Sequence, residues 1–370
     1  MTRWDFRTEE DVRKIVAGAA VLGLNRIFFQ VRGQADAFYP SNLEPWGEDL
    51  GGPPTRDGNP GFDPLKTAID EAHARGIALH AWLNVLPAWK GPTPPRSKSH
   101  LVHIHPEWFL TNEAGKRKIL DRAHYSLLNP CLAAVRTHLA AVFTDLTGRY
   151  AVDGVQLDYI RLMDRDIAKG EDVPFDPATL KQFRKEAGGS PADRPAAWDA
   201  FRRRAIDQLV ADISTAVRAK RTSCTISVAA IRDFNLARTR LLQDAAGWRK
   251  NGWIEEVYPM IYEPMAPRFG EFAGDWAGLC GGASVVPGIG VHLLDGGESL
   301  RDQIRSIRQM PVAERPAGYC LFAYSEFFPS PSPECRRDAE SVARRNAFRL
   351  LLRALNRPQE ASQTQAASNP

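Results

Sequence analysis

The 370-residue sequence predicts an α/β fold of the (β/α)8 TIM-barrel class, with long loops inserted after its strands. Short apolar segments alternate with amphipathic helical segments along the chain, which is typical of parallel sheets. The long insertions follow strands, whereas the turns from helix to strand are short, as in barrels that build a site at one end. A doubly wound nucleotide-binding sheet is disfavoured because Gly288-Ile289-Gly290 lacks a third glycine.

Seven segments rich in β-branched and aromatic residues are the predicted strands. They are residues 26–31, 77–83, 154–158, 225–230, 256–262, 283–291 and 318–323. Seven strands are one short of a closed barrel, so we expect residues 2–6 to be the end of a truncated first strand. Because an open barrel would expose unpaired strand edges, we also expect the natural reading frame to begin upstream of Met1.

Helices are predicted between these strands, and their starts carry recognisable capping residues. Thr8 is the expected N-cap of the first helix, with Asp11 as its capping partner. Asp63-Pro64 and Asn129-Pro130 begin two further helices. The predicted helices are residues 9–22, 65–75, 131–149, 198–220, 300–310 and 335–355. We expect residues 1–356 to form one barrel domain with its C-terminal helix, and the small, polar residues 357–370 to be disordered.

Composition and motifs exclude several classes of function. The 48 basic and 44 acidic residues are too balanced to indicate a nucleic-acid partner, and no apolar run is long enough to predict a membrane span. The five widely spaced cysteines are expected to be free thiols. His100, His103 and His105 have metal-ligand spacing but lie inside an insertion rather than at a strand tip, and Pro106 follows directly, so no metal is predicted. Nucleophile-elbow and P-loop motifs are absent, and no cofactor is expected.

Polar side chains occur at alternate positions near the ends of several predicted strands. Because residues two apart on a strand share a face, these side chains are expected to converge at the mouth of the barrel. The aligned sets are Gln30 and Arg32; His80, Trp82 and Asn84; Gln156 and Asp158; and Tyr258, Met260 and Tyr262. A buried polar network in the lumen is the alternative interpretation.

Asp158 is the strongest single candidate for a catalytic role. A carboxylate at the tip of a central strand is poorly explained by packing, although a salt bridge to Arg161 or Arg32 remains the alternative. Hydrolysis of a glycosidic bond requires two carboxyl groups that flank it. The candidates for the second are Glu263, which is preferred, Glu326 in reserve, and also Asp233 and Asp5.

Aromatic residues are also frequent at the predicted mouth, where flat rings offer a sugar an apolar surface. They are Trp4, Trp82, Trp89, Tyr159, Tyr262 and Tyr324. Any one of them is explained by core packing, but together they favour a polar, elongated ligand such as an oligosaccharide.

Several of these segments resemble the bacterial glycosyl-hydrolase-like family 10 proteins. The resemblance covers most of the chain to about Phe328 and rests on V-R-G-x-x-D-A-x-Y, H-A-W-x-N and D-G-x-x-x-D-Y-x-R. It implies a TIM barrel in a cell-envelope protein that hydrolyses peptidoglycan or another amino-sugar polymer. The resemblance also implies that eight residues belong to the functional site: Arg32, Asp36, Trp82, Asn84, Asp158, Tyr159, Arg161 and Tyr262. The sequence departs from the family at Tyr262-Glu263 and in its short first strand.

The leading hypothesis is therefore a glycoside hydrolase with catalytic Asp158 and either Glu263 or Glu326, of unassigned stereochemistry. A glycan-binding barrel without hydrolytic activity is the main alternative, and a metal-dependent hydrolase is a third. The predicted substrate contacts are Trp4, Asp5, Gln30, Arg32, Asp36, His80, Trp82, Asn84, Gln156, Tyr159, Arg161, Asp233, Tyr262, His292 and Tyr324.

Overall fold

Strands and helices alternate through most of the chain. A computed structural model describes residues 1–50, 58–115, 125–163, 172–333 and 335–356, so the predicted tail, 357–370, lies outside the described residues. The strands are β1 (Arg26–Arg32), β2 (Ala78–Asn84), β3 (Pro87–Lys90), β4 (Tyr125–Leu127), β5 (Gly154–Asp158), β6 (Thr225–Ile231), β7 (Glu256–Ile261), β8 (Gly288–Gly290) and β9 (Cys320–Phe322). The helices are α1 (Glu9–Val21), α2 (Pro64–His73), α3 (Leu101–Ile104), α4 (Ala133–Arg149), α5 (Pro177–Ala187), α6 (Pro195–Lys220), α7 (Phe234–Arg240), α8 (Ala245–Lys250), α9 (Ala266–Cys280), α10 (Gly297–Arg308) and α11 (Ala339–Leu355).

Seven of these strands form one parallel, curled sheet in the order β1-β2-β5-β6-β7-β8-β9. Each corresponds to one of the seven predicted strands, and this part of the prediction is confirmed. The remaining two strands, β3 and β4, pair as a separate antiparallel two-stranded sheet that follows β2. This small sheet lies in a predicted insertion and was not itself predicted.

The two faces of each central strand differ as the alternation predicts. On β5, Val155 and Leu157 belong to the main hydrophobic core, while Gln156 and Asp158 line the concave side of the sheet. The register pairs Gln156 with Trp82 of β2 and Asp158 with Asn84. Polar and aromatic side chains of neighbouring strands therefore lie side by side near the carboxyl ends of the strands.

The first strand is not formed, and the expectation that residues 2–6 end such a strand requires correction. Of residues 1–6, only Met1 makes backbone hydrogen bonds to β1: its amino group donates to the Phe28 carbonyl (3.0 Å), and the Gln30 amide donates to the Met1 carbonyl (3.3 Å). The residues that follow turn away because the Asp5 carboxylate accepts the amide and hydroxyl of Thr2. Among the described residues the parallel sheet therefore has seven strands, and residues 2–6 do not form an eighth.

The prediction that Gln30 and Arg32 share a face of the sheet is wrong, because β1 has a β-bulge near its end. Gln30 pairs with Trp82, but Arg32 pairs with Leu83, which is the next residue along β2. Because successive strand residues face opposite sides, Arg32 lies on the outer face with Leu83. The extra residue, Val31, therefore moves the guanidinium out of the lumen.

Local capping residues explain where several helices begin. The reciprocal capping box between Thr8 and Asp11 forms as predicted, and Asp63 caps α2. Helix α9 was not predicted, since three glycines weaken its helix propensity. It forms because Phe269, Ala273 and Trp276 bury one apolar face.

The cysteine prediction is also confirmed, because all five cysteines are free thiols. No helix in the described part of the chain is both long and apolar enough to cross a bilayer.

Candidate functional site

A cavity of about 190 Å³ opens on the concave side of the sheet and extends between β1 and β9. Asp158 and Gln156 of β5 reach it from one side, and Trp82 reaches it from β2. Tyr262, Phe322 and Tyr324 line it from the last strands. Its remaining wall beneath α1 is apolar and includes Leu22, Leu24, Phe327 and Phe328.

Asp158 is 6% exposed and accepts hydrogen bonds at both carboxylate oxygens. Its Oδ1 accepts the following backbone amide, that of Tyr159 (2.6 Å), and its Oδ2 accepts the Trp82 indole N–H (3.1 Å). Burial raises the pKa of Asp158 to about 6, while these donors and nearby Arg161 act in the opposite direction. A carboxyl group with that pKa exchanges its proton near neutral pH, which suits general acid or base chemistry.

Trp82 and Asn84 form a small hydrogen-bond network with Asp158. The Trp82 N–H is also 3.1 Å from Asn84 Oδ1, so the two acceptors share one donor. Asn84 Nδ2 donates to the Gly33 carbonyl (3.0 Å). The network ties the end of β5 to the ends of β2 and β1.

Aromatic rings form the opposite wall of the cavity. Tyr262 stacks on Phe322 with ring centroids 5.4 Å apart, and the edge of His292 contacts both rings. Phe322 also packs against Trp82, with centroids 6.4 Å apart. Burial raises the pKa of Tyr262 well above its ordinary value, so its phenol is protonated at neutral pH.

Tyr159 and Arg161 lie beside the cavity at the start of the loop after β5. Tyr159 adopts a left-handed backbone conformation (φ 50°), and its ring packs edge-on against Tyr125. The Arg161 guanidinium lies 4.7 Å from the centre of the Tyr159 ring. Strained backbone of this kind is often found at functional sites.

Asp36 occupies the turn that follows β1 and is also buried. Its Oδ1 accepts the amides of Gly33 (3.0 Å) and Gln34 (2.8 Å), while its Oδ2 has no hydrogen-bond partner among the residues that the structure describes. Burial raises the pKa of Asp36 to about 6, opposed by the Arg3 guanidinium. The same turn supplies the Gly33 carbonyl that fixes Asn84.

The two predicted partners of Asp158 are engaged elsewhere. Glu263 accepts the Met265 amide and lies 3.5 Å from Arg232 and 3.9 Å from Arg268. Glu326 is paired with Arg344 of α11 (3.0 Å). Neither lines the cavity, where Asp158 is the one acidic residue among those that the structure describes.

Other predicted contacts have well-defined packing or hydrogen-bonding roles. Asp5 accepts the Ser330 hydroxyl (2.8 Å), and Asp233 caps α7. Gln30 accepts the Arg3 amide (2.9 Å). The Trp4 ring lies 4.4 Å from the Arg3 guanidinium, and Tyr324 stacks on Phe328.

His80 lies deeper in the sheet, next to Phe28. Burial, together with Arg26, lowers the pKa of His80 to about 3, so the ring is neutral.

Arg32 belongs to a buried ion pair on the outer face rather than to the cavity. It makes two hydrogen bonds of 2.7 Å with Glu44, which also contacts His138 of α4. Although burial would raise the pKa of Glu44, the Arg32 and His138 partners lower it to about 2. This ion pair anchors the end of β1 to the helix layer.

Phe322 is the clearest cavity residue that the sequence analysis missed. All three residues of β9, Cys320, Leu321 and Phe322, line the cavity, so strand alternation gave no signal that singled Phe322 out. The three histidines of the insertion have separate partners, at Gln34, Pro95 and Glu107. Among the described residues, no group of three potential ligands is arranged to hold a metal ion.

Comparison with known sequences identifies a family and two curated relatives. The family described as Glycosyl hydrolase-like 10 matches residues 1–296. Glycosyl hydrolase DigH of Escherichia coli K12 is 28% identical over 283 residues, which are 69% of this chain and 59% of that protein. Glycosyl hydrolase YngK of Bacillus subtilis is 26% identical over 271 residues, 69% of this chain and 49% of that protein. The chain thus spans about half to three-fifths of the length of these curated relatives.

Solved structures share the fold at low sequence identity. The glycoside hydrolase domain of PgaB (BpsB) from Bordetella bronchiseptica superimposes with a TM-score of 0.63 at 14% identity, and 93% of each chain is covered. An α-L-fucosidase from Paenibacillus thiaminolyticus gives a TM-score of 0.62 at 13% identity, covering 96% of this chain and 47% of that one. These similarities show that the mostly parallel, curled sheet is shared with glycoside hydrolases.

Proposed function

Because the chain belongs to the glycosyl hydrolase-like 10 family, we propose that it is a glycoside hydrolase that cleaves a cell-envelope glycan. An amino-sugar polymer such as peptidoglycan is the favoured substrate class. The family membership and the glycosidase-like fold support this proposal. We also propose that the curled sheet is a (β/α)8 barrel, in which Met1 takes the position beside β1.

The observation that carries the proposal is the environment of Asp158. A buried carboxyl group with a pKa of about 6 lies in a cavity beside three aromatic side chains, those of Trp82, Tyr262 and Phe322. Aromatic rings can stack on a sugar, and such a carboxyl group can donate or accept a proton at the glycosidic oxygen. Asp158 is therefore the proposed catalytic carboxylate.

Neither candidate for the second carboxyl group lines the cavity, so an experiment has to identify this group. Glu263 remains the preferred candidate and Glu326 the reserve, but each has to leave its arginine partners to face a bound sugar. A separation of about 5–5.5 Å from Asp158 in the complex predicts retention of stereochemistry, and ~6.5–9.5 Å predicts inversion.

New reducing ends released from purified peptidoglycan and from other amino-sugar polymers test the proposal directly. Wild-type protein should release them, and Asp158→Asn should lose at least about 10³-fold of that activity while keeping its circular dichroism spectrum. Glu263→Gln and Glu326→Gln are measured in parallel, and a comparable loss identifies the second carboxylate. Full activity in folded Asp158→Asn would refute the assignment of Asp158.

A glycan-binding protein without hydrolytic activity is the second candidate function. The observation in its favour is that Glu263 and Glu326 are both neutralised by arginines outside the cavity. Binding of the glycan without new reducing ends, by the wild type and Asp158→Asn alike, would support this candidate.

A further inference from the structure

We propose that Trp82 is a positioning residue for Asp158. The indole N–H of Trp82 orients the Asp158 carboxylate and stabilises its ionised form. From its residue type, Trp82 is expected to form a flat wall for a sugar. The donor in its ring indicates a second role, because the N–H lies 3.1 Å from Asp158 Oδ2. The consequence for catalysis rests on the proposed function, whereas the hydrogen bond itself does not.

The position of the Trp82 ring is fixed by the sheet and by one contact across the cavity. In the register of β2 and β5, Asn84 lies opposite Asp158, and Trp82 lies two residues earlier on the same face. The long indole side chain spans this diagonal, and the Phe322 ring packs against it. The N–H is thus held toward the carboxylate before any ligand binds.

Asn84 competes with Asp158 for the same donor. Its Nδ2 donates to the Gly33 carbonyl, so its Oδ1 is the atom that faces the indole, at 3.1 Å. The donor is shared between a neutral and a charged acceptor at equal distance. Removing the amide oxygen of Asn84 should therefore strengthen the bond to Asp158.

Asp158 has few other groups that stabilise its charge. The charged and titratable groups that face it are Arg161, Tyr159 and Tyr262. Its Oδ1 is occupied by the amide of Tyr159, which leaves the Trp82 N–H as the donor at Oδ2. Because a hydrogen bond to the charged form lowers a carboxyl pKa, loss of the indole N–H should raise the pKa of Asp158.

Trp82→Phe removes the donor and keeps an aromatic ring. Carbon-13 labelling of aspartate carboxyl groups allows Asp158 to be titrated by NMR without a substrate, its signal being the one missing from Asp158→Asn. We expect its pKa to rise by about one unit in Trp82→Phe. Asn84→Ala should shift it in the opposite direction, by a few tenths of a unit. Trp89→Phe is the matched control, because that indole donates to the Thr93 carbonyl outside the cavity.

The pH profile of glycan cleavage provides the second measurement. The limb that reports Asp158 should move to higher pH in Trp82→Phe and stay in place in Trp89→Phe. An unchanged pKa of Asp158 in folded Trp82→Phe would overturn the proposal, as would an upward shift in Asn84→Ala. If the wild type cleaves no glycan but the titration shifts as expected, the proposed function fails and the positioning role stands.

Discussion

Replacing Asp158 by asparagine is expected to make the protein more stable at neutral pH while it removes the proposed catalytic carboxylate. Burial raises the pKa of Asp158 from 3.8 to about 6. Since one pKa unit corresponds to about 1.4 kcal/mol, the ionised side chain lowers the free energy of unfolding by ~3 kcal/mol above pH 6. The neutral amide of asparagine avoids this cost.

The loss of one hydrogen bond offsets part of the stability that Asp158→Asn gains. The carboxylate accepts one donor at each oxygen, from the Tyr159 amide and the Trp82 indole. An asparagine has one acceptor oxygen, so one of these donors faces its NH2 group, at a cost of about 1–1.5 kcal/mol. The expected net gain for Asp158→Asn is therefore ~1.5–2 kcal/mol at pH 7.5.

The pH dependence separates this effect from a general change in packing. Because the pKa of Asp158 is raised in the folded state, the destabilisation caused by its buried charge is absent below pH 3.8 and grows as the pH rises to about 6. Urea unfolding followed by circular dichroism should therefore show the advantage of Asp158→Asn at pH 7.5 and most of it lost at pH 4. Asp176→Asn is the control: its two carboxylate oxygens accept the Asn129 side-chain amide (2.7 Å) and the Thr179 backbone amide (2.9 Å), so the loss of one acceptor should destabilise the protein. An advantage of Asp158→Asn that is equal at both pH values would refute the reasoning.

Three further outcomes are expected. Glu44→Gln should lower the free energy of unfolding by ~3 kcal/mol in urea titrations above pH 4.5, because it leaves a buried arginine of β1 without its carboxylate. The loss of stability should become smaller as the pH falls toward 2, and a loss under about 1 kcal/mol above pH 4.5 would contradict this. Gly154→Ala should lower the thermal midpoint by about 2–10 °C, since its Cβ would lie 2.4 Å from the His80 ring, whereas Gly148→Ala, whose Cβ has 3.7 Å of space, should not. The pH profile of glycan cleavage should show a limb near pH 6 from Asp158. The rate should fall above pH 6 if Asp158 is the general acid, and rise through pH 6 if it is the base or nucleophile. A profile without a limb between pH 5 and 7 would count against the catalytic role of Asp158.

Local patterns in the sequence were sufficient to predict the strands and the position of Asp158. Alternation along 154–158 depends only on neighbouring residues, and so does the capping box of Thr8 and Asp11. The same alternation predicts that Gln156 and Asp158 face the concave side, where the structure has both.

Long-range contacts limited the prediction of the site. Glu263 and Glu326 are at strand ends in the sequence, but arginines from other loops and helices hold both carboxylates outside the cavity. One unpaired residue in β1 turns Arg32 to the outer face, and no periodic pattern reveals such a bulge.

The sequence by itself determined the order of the seven parallel strands, the family and the carboxylate at the end of β5. Only the tertiary structure decided which side chains surround that carboxylate: Trp82 from β2, Tyr262 after β7 and Phe322 from β9. The physical reason is that strand periodicity is set by adjacent residues, whereas a cavity is set by the register between strands and by the helices packed behind them.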